Sequence, residues 1–282
     1  MGEELQYKNA VKKDECALIT ELVGRRLAHP LALLAHKLGL SANTVTIIAG
    51  MCWMSSLPLA VYAGSLYGDG RISLGLTIWF CCGFLWNAGY LLDIADGSLA
   101  RMTGTASRRG FYLDYVFHLL FKPAFLLSIG IGLYLCRGDG TWWLVFAVLS
   151  VPANWSASLS AVEHVLCEEY GKGRLTSLAA TAVEKRELWL GVTDMNDPAG
   201  RKSNSPLRFV KTVCAEVLSY YGQFTFFSIT VLADVLLWLG GVKSQPMPVT
   251  SVSFIAITAF MIIRTPFRVA REYDRIAKSD EF

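Results

Sequence analysis

Residues 93–118 read DIADGSLARMTGTASRRGFYLDYVFH, and the interpretation of the whole chain starts from this stretch. Helical spacing places Asp93 and Asp96 close together on a first helix. After a break in the middle of the stretch, the same spacing places Asp114 and His118 on one face of a second helix. We therefore expect three carboxylates and one imidazole to converge.

The residues on either side of this stretch are strongly apolar. Residues 78–86 read IWFCCGFLW, and residues 119–121 read LLF. The charged groups therefore lie at the ends of two membrane spans. Ionisable groups at such a depth are costly, so they are a functional hypothesis by default.

The composition of the 282-residue chain is that of a membrane protein. It is 53% hydrophobic and 17% charged, with a mean hydropathy of +0.40, which is more apolar than an ordinary soluble domain. A net charge of +3 is too small to indicate nucleic-acid binding. The seven cysteines include no Cys-x-x-Cys pair, so neither a disulfide framework nor a zinc site is indicated. The polar, lysine-bearing N-terminus does not resemble a signal peptide.

Six segments have the length and apolarity needed to cross a bilayer. They lie near residues 44–67, 73–95, 110–136, 141–165, 208–239 and 247–267. The predicted fold class is therefore all-α, an integral membrane protein with six transmembrane helices. With a cytoplasmic N-terminus, the outer loops contain only Arg71, Arg137 and Lys243 of the 26 Lys and Arg residues. The positive-inside rule then places the active site on the cytoplasmic side of a bacterial inner membrane or an internal membrane such as the ER.

The chain divides into a cytoplasmic juxtamembrane segment, residues 1–42, and a transmembrane catalytic domain, residues 43–282. The pattern of the juxtamembrane segment predicts an amphipathic helix at an anionic membrane interface, or a helix packed on the protein itself. Its apolar stripe is Leu18, Ile19, Leu22, Val23 and Leu27, and Pro30 is expected to end or kink it. A cytoplasmic loop over residues 167–207 is either a lid or acceptor surface, or a plain solvated loop.

The residue types of the motif suit a metal-bound pyrophosphate. Grouped carboxylates are hard oxygen ligands for Mg²⁺ or Mn²⁺. Gly97 and Gly110 lack side chains, and Ala100 has a small one, so a ligand can approach the backbone. Arg101 offers a guanidinium that matches phosphate oxygens. An ion pathway in a transporter is the competing interpretation, but it would require neither the glycines nor the arginine.

The motif resembles the signature of the CDP-alcohol phosphotransferase family, also called CDP-alcohol phosphatidyltransferases. That signature reads D-x-x-D-G-x-x-A-R, about eight residues, then G-x-x-x-D-x-x-x-D. Seven of its eight fixed positions are matched here: Asp93, Asp96, Gly97, Ala100, Arg101, Gly110 and Asp114. Near the start of the first span, Asn43-Thr44 stands where the family often has Pro-Asn-x-x-Thr, with Ala42 in place of the proline.

The resemblance implies a metal-dependent transferase that moves a phospho-alcohol group from a CDP-linked donor to an acceptor hydroxyl and releases CMP. The donor would be CDP-diacylglycerol or a CDP-linked head group, and the enzyme would be a homodimer that makes phospholipids or phosphoalcohol conjugates in the bilayer. The metal ligands for one or two Mg²⁺ or Mn²⁺ ions would be Asp93, Asp96 and Asp114. The CDP site would be lined by Gly97, Ala100, Arg101 and Gly110.

His118 occupies the position at which the family has its last aspartate and its proposed general base. A neutral imidazole accepts a proton near physiological pH, so His118 is a candidate catalytic base. The other interpretations are a metal ligand and the remnant of a lost activity, which would make the chain a CDP-lipid-binding pseudoenzyme. Lys122, one turn further, is either a phosphate contact or a charge that neutralises the carboxylates. Glu163 and His164 either help to bind the acceptor or anchor the fourth span at the interface.

Overall fold

A computed structural model describes residues 23–155, 217, 220–242 and 246–280. Every regular element in these residues is a helix, which confirms the all-α class. The helices are α1 (Arg25–Lys37), α2 (Ala42–Gly68), α3 (Ile72–Met102), α4 (Arg108–Arg137), α5 (Trp142–Trp155), α6 (Tyr220–Leu239) and α7 (Pro248–Asp280).

Five of these helices are long and apolar enough to cross a membrane, which confirms an integral membrane protein. They are α2, α3, α4, α6 and α7, and each contains an apolar window of at least 18 residues. Helix α5 is also apolar, and its described part ends at residue 155, inside the fourth predicted span. The predicted loop 167–207 and the leading part of the N-terminal stripe, up to Leu22, lie outside the described residues.

Helix α1 presents two different apolar faces. Its small residues Ala28, Ala32 and Ala35 are buried, in clusters that include Ala95 and Leu99 of α3. Four large apolar residues in the helix or directly beside it are exposed: Val23, Leu27, Leu34 and Leu38. The helix continues through Pro30 instead of ending there. The predicted amphipathic helix therefore packs on the protein through alanines and leaves a bulky apolar stripe available to lipid.

The break between α3 and α4 is a tight turn with good hydrogen bonding at both helix ends. Gly104 has a left-handed backbone, with φ +66°, and the Thr105 N–H donates to the Ala100 carbonyl over 2.9 Å. This arrangement satisfies carbonyls that a helix end leaves without partners. Ser107 then caps α4, because its Oγ accepts from the Gly110 N–H over 3.1 Å. The short turn joins the end of α3 to the start of α4 and reverses the direction of the chain.

An aromatic core fills the centre of the bundle. Phe125 lies 5.0 Å from both Trp86 and Phe224, measured between ring centroids, and both pairs meet edge to face. Phe121 stacks on Trp53 with centroids 5.4 Å apart. These five rings come from α2, α3, α4 and α6 and are buried. They hold the four helices in one rigid arrangement behind the motif.

Polar side chains connect the remaining helices. Asn87 of α3 donates to Ser228 of α6 over 2.7 Å and accepts from Thr225 over 3.1 Å. Asp234 of α6 caps α7 by accepting from the backbone N–H groups of Val249 and Thr250, both over 2.9 Å. Such bonds are well suited to join apolar helices, because lipid offers no alternative partners.

The end of the bundle away from the motif is closed by an ion pair outside the spans. Arg137 pairs with Asp139 over 3.0 Å and donates to the Pro246 carbonyl, which precedes α7. Hydrogen bonds from Arg137 and Trp143 hold the pKa of the Asp139 carboxyl below its usual value. This group therefore connects the end of α4 and the start of α5 to the start of α7.

Helices α2 and α4 approach each other most closely at two glycines. A Cβ added at Gly64 would overlap the carbonyl group of Gly132, and one added at Gly132 would lie 2.7 Å from the Ala60 carbonyl oxygen. Small residues of this kind let membrane helices pack backbone against backbone.

We therefore predict that Gly64→Ala destabilises the bundle by about 1–3 kcal/mol, because the added methyl group has no space without a backbone shift. The measurement is the thermal unfolding midpoint in detergent. Gly240→Ala is the matched control, since its added Cβ would lie at an ordinary 3.4 Å from the Leu236 carbonyl oxygen. Equal midpoints for the two variants would contradict this account of the α2–α4 contact.

Candidate active site

The two halves of the motif converge between the last three turns of α3 and the first three turns of α4. His118 Nε2 lies 3.2 Å from Asp93 Oδ1 and 3.1 Å from Asp114 Oδ1. The side chains of His118 and Asp93 are 12% and 11% exposed, and that of Asp114 is 35% exposed. The structure thus brings together two of the predicted metal ligands and the predicted base, with Asp114 as the most open member.

Asp96 lies beside this group without being part of it. Its side chain is buried and lies near enough to Asp93 and Asp114 to interact with them electrostatically. The Thr46 hydroxyl lies near the carboxylate but donates to the Ala42 carbonyl over 3.1 Å, and Asp96 Oδ2 accepts no hydrogen bond from the described residues. A buried carboxylate oxygen without a donor is costly unless a cation compensates it.

The donor atoms fit a divalent cation. One ligand atom from each of Asp93, Asp114 and His118 can be chosen so that all lie within 4.8 Å of one another. The separations of 3.1 and 3.2 Å from the imidazole nitrogen are close to the distance of about 3 Å between neighbouring ligands on metal bonds of about 2.1 Å. Two carboxylates with an imidazole, and a third carboxylate nearby, form a mixed oxygen and nitrogen donor set that suits Mn²⁺ as well as Mg²⁺.

The two motif glycines differ from the glycines that pack helices together. Among the described residues, a Cβ added at Gly97 would meet the guanidinium of Arg101, at 3.2 Å. A Cβ added at Gly110 would meet the Asn43 side-chain oxygen at 3.0 Å and the Ser107 hydroxyl at 3.4 Å. Within the described part of the chain, neither added Cβ meets the backbone of another helix, in contrast to Gly64. Close backbone packing between the described helices therefore does not require these two glycines, and both are partly exposed.

The remaining predicted CDP-site residues lie at the motif end of α3. Ala100 is partly exposed, and Arg101 is exposed in the last helical turn. The first turns of α2 and α4 lie beside them, since Asn43 of α2 approaches Gly110 of α4. Two helix N-termini, capped by Ser41 and Ser107, thus lie close together. Helix N-termini favour anions, so this end of the bundle is suited to phosphate groups.

Two residues of the site were missed by reasoning from sequence. Thr46 is the threonine of the Asn-x-x-Thr pattern that begins at Asn43, and that spacing is a signal that could have identified it. Trp53 lies with its ring centroid 5.1 Å from that of His118. A tryptophan in an apolar span carries no such signal, because most aromatic residues at such positions are simply core residues.

Lys122 is close enough to Asp114 to interact with its charge, and its carbonyl accepts a hydrogen bond from the Asn154 side chain of α5. The lysine therefore belongs to the charged surroundings of the site, and both interpretations of it stay open. Glu163 and His164 lie outside the described residues.

The profile of the CDP-alcohol phosphatidyltransferase family matches residues 40–181, just over half of the chain. The chain belongs to this family. No curated protein matches it at a significant level. The matched range contains α2 to α5 and the whole motif, so the converging carboxylates and imidazole lie inside the CDP-alcohol phosphatidyltransferase domain. The chain is thus a member of a family of membrane transferases that act on CDP-alcohols.

Proposed function

We propose that this CDP-alcohol phosphatidyltransferase family member is a metal-dependent enzyme. It moves a phospho-alcohol group from CDP-diacylglycerol or a CDP-linked head group to an acceptor hydroxyl and releases CMP. The observation that carries the proposal is the convergence of Asp93, Asp114 and His118 within the family domain. Three acidic side chains and an imidazole at the end of membrane helices are costly unless they serve a function.

The proposed donor site uses features of this chain that attract a pyrophosphate. Asp93, Asp96 and Asp114 hold one or two Mg²⁺ or Mn²⁺ ions. A divalent cation supplies charge neutralisation for the pyrophosphate and makes its phosphorus easier to attack. Gly97 and Gly110 leave space for the nucleotide near two helix N-termini. These N-termini help to orient the anionic donor.

Ala100 and Arg101 complete the proposed CDP site. Ala100, two residues before the end of α3, leaves space for the ligand because its side chain is small, and the exposed guanidinium of Arg101 can reach the phosphate oxygens. The donor thus binds across the ends of α3 and α4.

His118 is proposed to take the proton of the acceptor hydroxyl. The acceptor oxygen forms a bond to the phosphorus that carries the alcohol, the bond from that phosphorus to CMP breaks, and CMP leaves with the electron pair. His118 Nε2 faces both carboxylates, whereas Nδ1 is buried, so Nε2 is the ring nitrogen on the side of the proposed donor site. Asp93 and Asp114 fix the orientation of the ring and stabilise the positive charge that it gains.

The orientation of the site in the membrane and the oligomeric state belong to the same proposal. The positive-inside rule supports a cytoplasmic active site, since Arg71 and Arg137 are at the opposite end of the bundle from Arg101. Membership of the family supports a homodimer.

A second function is favoured by one specific observation. His118 Nε2 lies between two carboxylates, where a cation would otherwise compensate them, and the imidazole is largely buried. A protein of this kind could bind a CDP-lipid without transferring its phosphoryl group. The distinction between this pseudoenzyme and the transferase is whether CMP is released.

The decisive experiment incubates purified protein with Mn²⁺ or Mg²⁺, a CDP donor and a membrane extract. CMP is quantified, and the product is identified by mass spectrometry. Release of CMP with a new phosphodiester supports the transferase. Metal-dependent CDP binding without CMP release, for every donor tried, supports the pseudoenzyme.

The first prediction at the site concerns its charge. Asp93→Asn, Asp96→Asn and Asp114→Asn each remove one negative charge at almost constant shape, so each should weaken Mn²⁺ binding and metal-dependent CDP binding by about tenfold or more. Isothermal titration calorimetry with Mn²⁺, and then with CDP, measures both affinities. Asp69→Asn, at the far end of α2, is the matched control. Unchanged affinities in all three variants would rule out the metal assignment.

The second prediction concerns the space left by the motif glycines. Gly97→Val and Gly110→Val should prevent CDP binding, because the new side chains occupy the surface proposed for the nucleotide. Ser55→Val is the control, since Ser55 is exposed and its hydroxyl bonds only to its own helical turn among the hydrogen bonds described. Equilibrium dialysis with CDP and Mn²⁺ tests this, and full affinity in both glycine variants would contradict it.

The third prediction concerns the base. His118→Ala should reduce turnover by about 10²–10⁴-fold while the affinity for CDP changes little, because a general base acts on the acceptor. His36→Ala is the matched control, because His36 is an exposed histidine of α1, and it should keep the turnover of the parent. Turnover and donor affinity are measured on the same preparations. If His118→Ala is as active as the parent, His118 is not the base.

A further inference from the structure

We infer that Trp53 is a positioning residue for His118 and that its indole holds the imidazole against Asp93 and Asp114. The inference rests on the proposed role of His118 in phosphotransfer and assigns a function to a residue outside the motif. Trp53 lies on α2, whereas the motif residues lie on α3 and α4. A third helix thus contributes to the geometry of the site.

The first observation is that His118 is in contact with two carboxylates and with an aromatic ring. Its Nε2 lies 3.2 and 3.1 Å from the two carboxylates. Its ring lies 5.1 Å from the Trp53 ring between centroids, at an interplanar angle of 48°. The polar contacts determine where the nitrogen points, and the aromatic contact limits how far the ring can tilt away from them.

The second observation is that Trp53 is itself fixed. Its Nε1–H donates to the Trp86 carbonyl of α3 over 3.1 Å, and its ring stacks on Phe121 with an interplanar angle of 6°. Gly89 leaves the space in which the indole lies, since a Cβ there would overlap the indole nitrogen. Trp53 is almost fully buried, with 1% of its surface exposed. The indole is therefore a rigid support for the imidazole.

The backbone around Trp53 is connected to α3 a second time. Trp86 Nε1–H donates to Ser56 Oγ over 2.9 Å, and the Ser56 hydroxyl donates to the Trp53 carbonyl over 2.6 Å. These bonds form a closed set with the Trp53 indole bond. Movement of the indole would break buried hydrogen bonds, which is costly in a membrane bundle.

The third observation explains why an imidazole fits this position. The face of an aromatic ring carries negative charge density, which disfavours a carboxylate and favours a ring with positive or partly positive edges. An aspartate at position 118 would lie close to the Trp53 indole and to two carboxylates. The surroundings of His118 therefore suit histidine, and Trp53 is the part of them that the motif does not contain.

The test is a double-mutant cycle between Trp53 and His118. Trp53→Leu removes the ring and should lower turnover by about tenfold or more at unchanged CDP affinity, while Trp53→Phe keeps a ring and should lose less. In a His118→Ala background, Trp53→Leu should cause no further loss. Trp79→Phe is the matched control, because Trp79 is equally buried and lies in the outer half of α3. An equal loss from Trp53→Leu in both backgrounds would overturn the inference.

A second measurement does not depend on turnover. In protein labelled at histidine, the His118 ring resonances are assigned by their loss in His118→Ala. Trp53→Phe and Trp53→Leu should shift these resonances because the indole ring current is removed, and Trp79→Phe should leave them in place. If the His118 resonances are unshifted in both Trp53 variants, the inferred contact between Trp53 and His118 is wrong. If the parent releases no CMP, the proposed function fails, and these spectra still decide whether Trp53 holds His118.

Discussion

The structure depends on the compensation of three carboxylates that lie at the end of an apolar helix bundle. Asp93 and Asp96 belong to one helix and Asp114 to the next, and they are close enough to interact electrostatically. In such surroundings, charges of one sign are stable only with opposite charge or hydrogen-bond donors nearby. His118 and Lys122 supply part of this compensation, and one oxygen of Asp96 accepts no hydrogen bond from the described residues.

The helix bundle keeps these groups together against their mutual repulsion. The tight turn at Gly104 joins α3 and α4 directly, so their charged ends stay close together. The contact between Gly64 and Gly132 brings α2 against α4. The aromatic core then fixes the four central helices behind the site. Rigid packing of this kind allows a binding site to be held in a productive geometry before the substrate arrives.

Much of the architecture could be predicted because it follows from patterns that are local in the chain. Apolar length predicted the spans, and the five described long spans lie close to their predicted positions. Motif spacing predicted that Asp93, Asp114 and His118 converge. The N-terminal segment was predicted to be an amphipathic interfacial helix or a helix packed on the protein itself, and the alanine contact of α1 with α3 was not predicted. The roles of the site residues, the bound metal, the membrane orientation and the homodimer stay predictions.

By itself, the sequence determined the all-α membrane class, the family and the residue types at the site, because hydrophobic length, helical period and motif spacing are all properties of consecutive residues. Only the tertiary structure decided that Asp96 lies beside the group of Asp93, Asp114 and His118, and that a Cβ added at Gly97 would meet no other helix among the described residues. It also decided that Trp53, 65 residues before His118 in the chain, lies against its ring. Such contacts depend on how whole helices pack, and packing is the sum of many small contacts between residues that are distant in sequence.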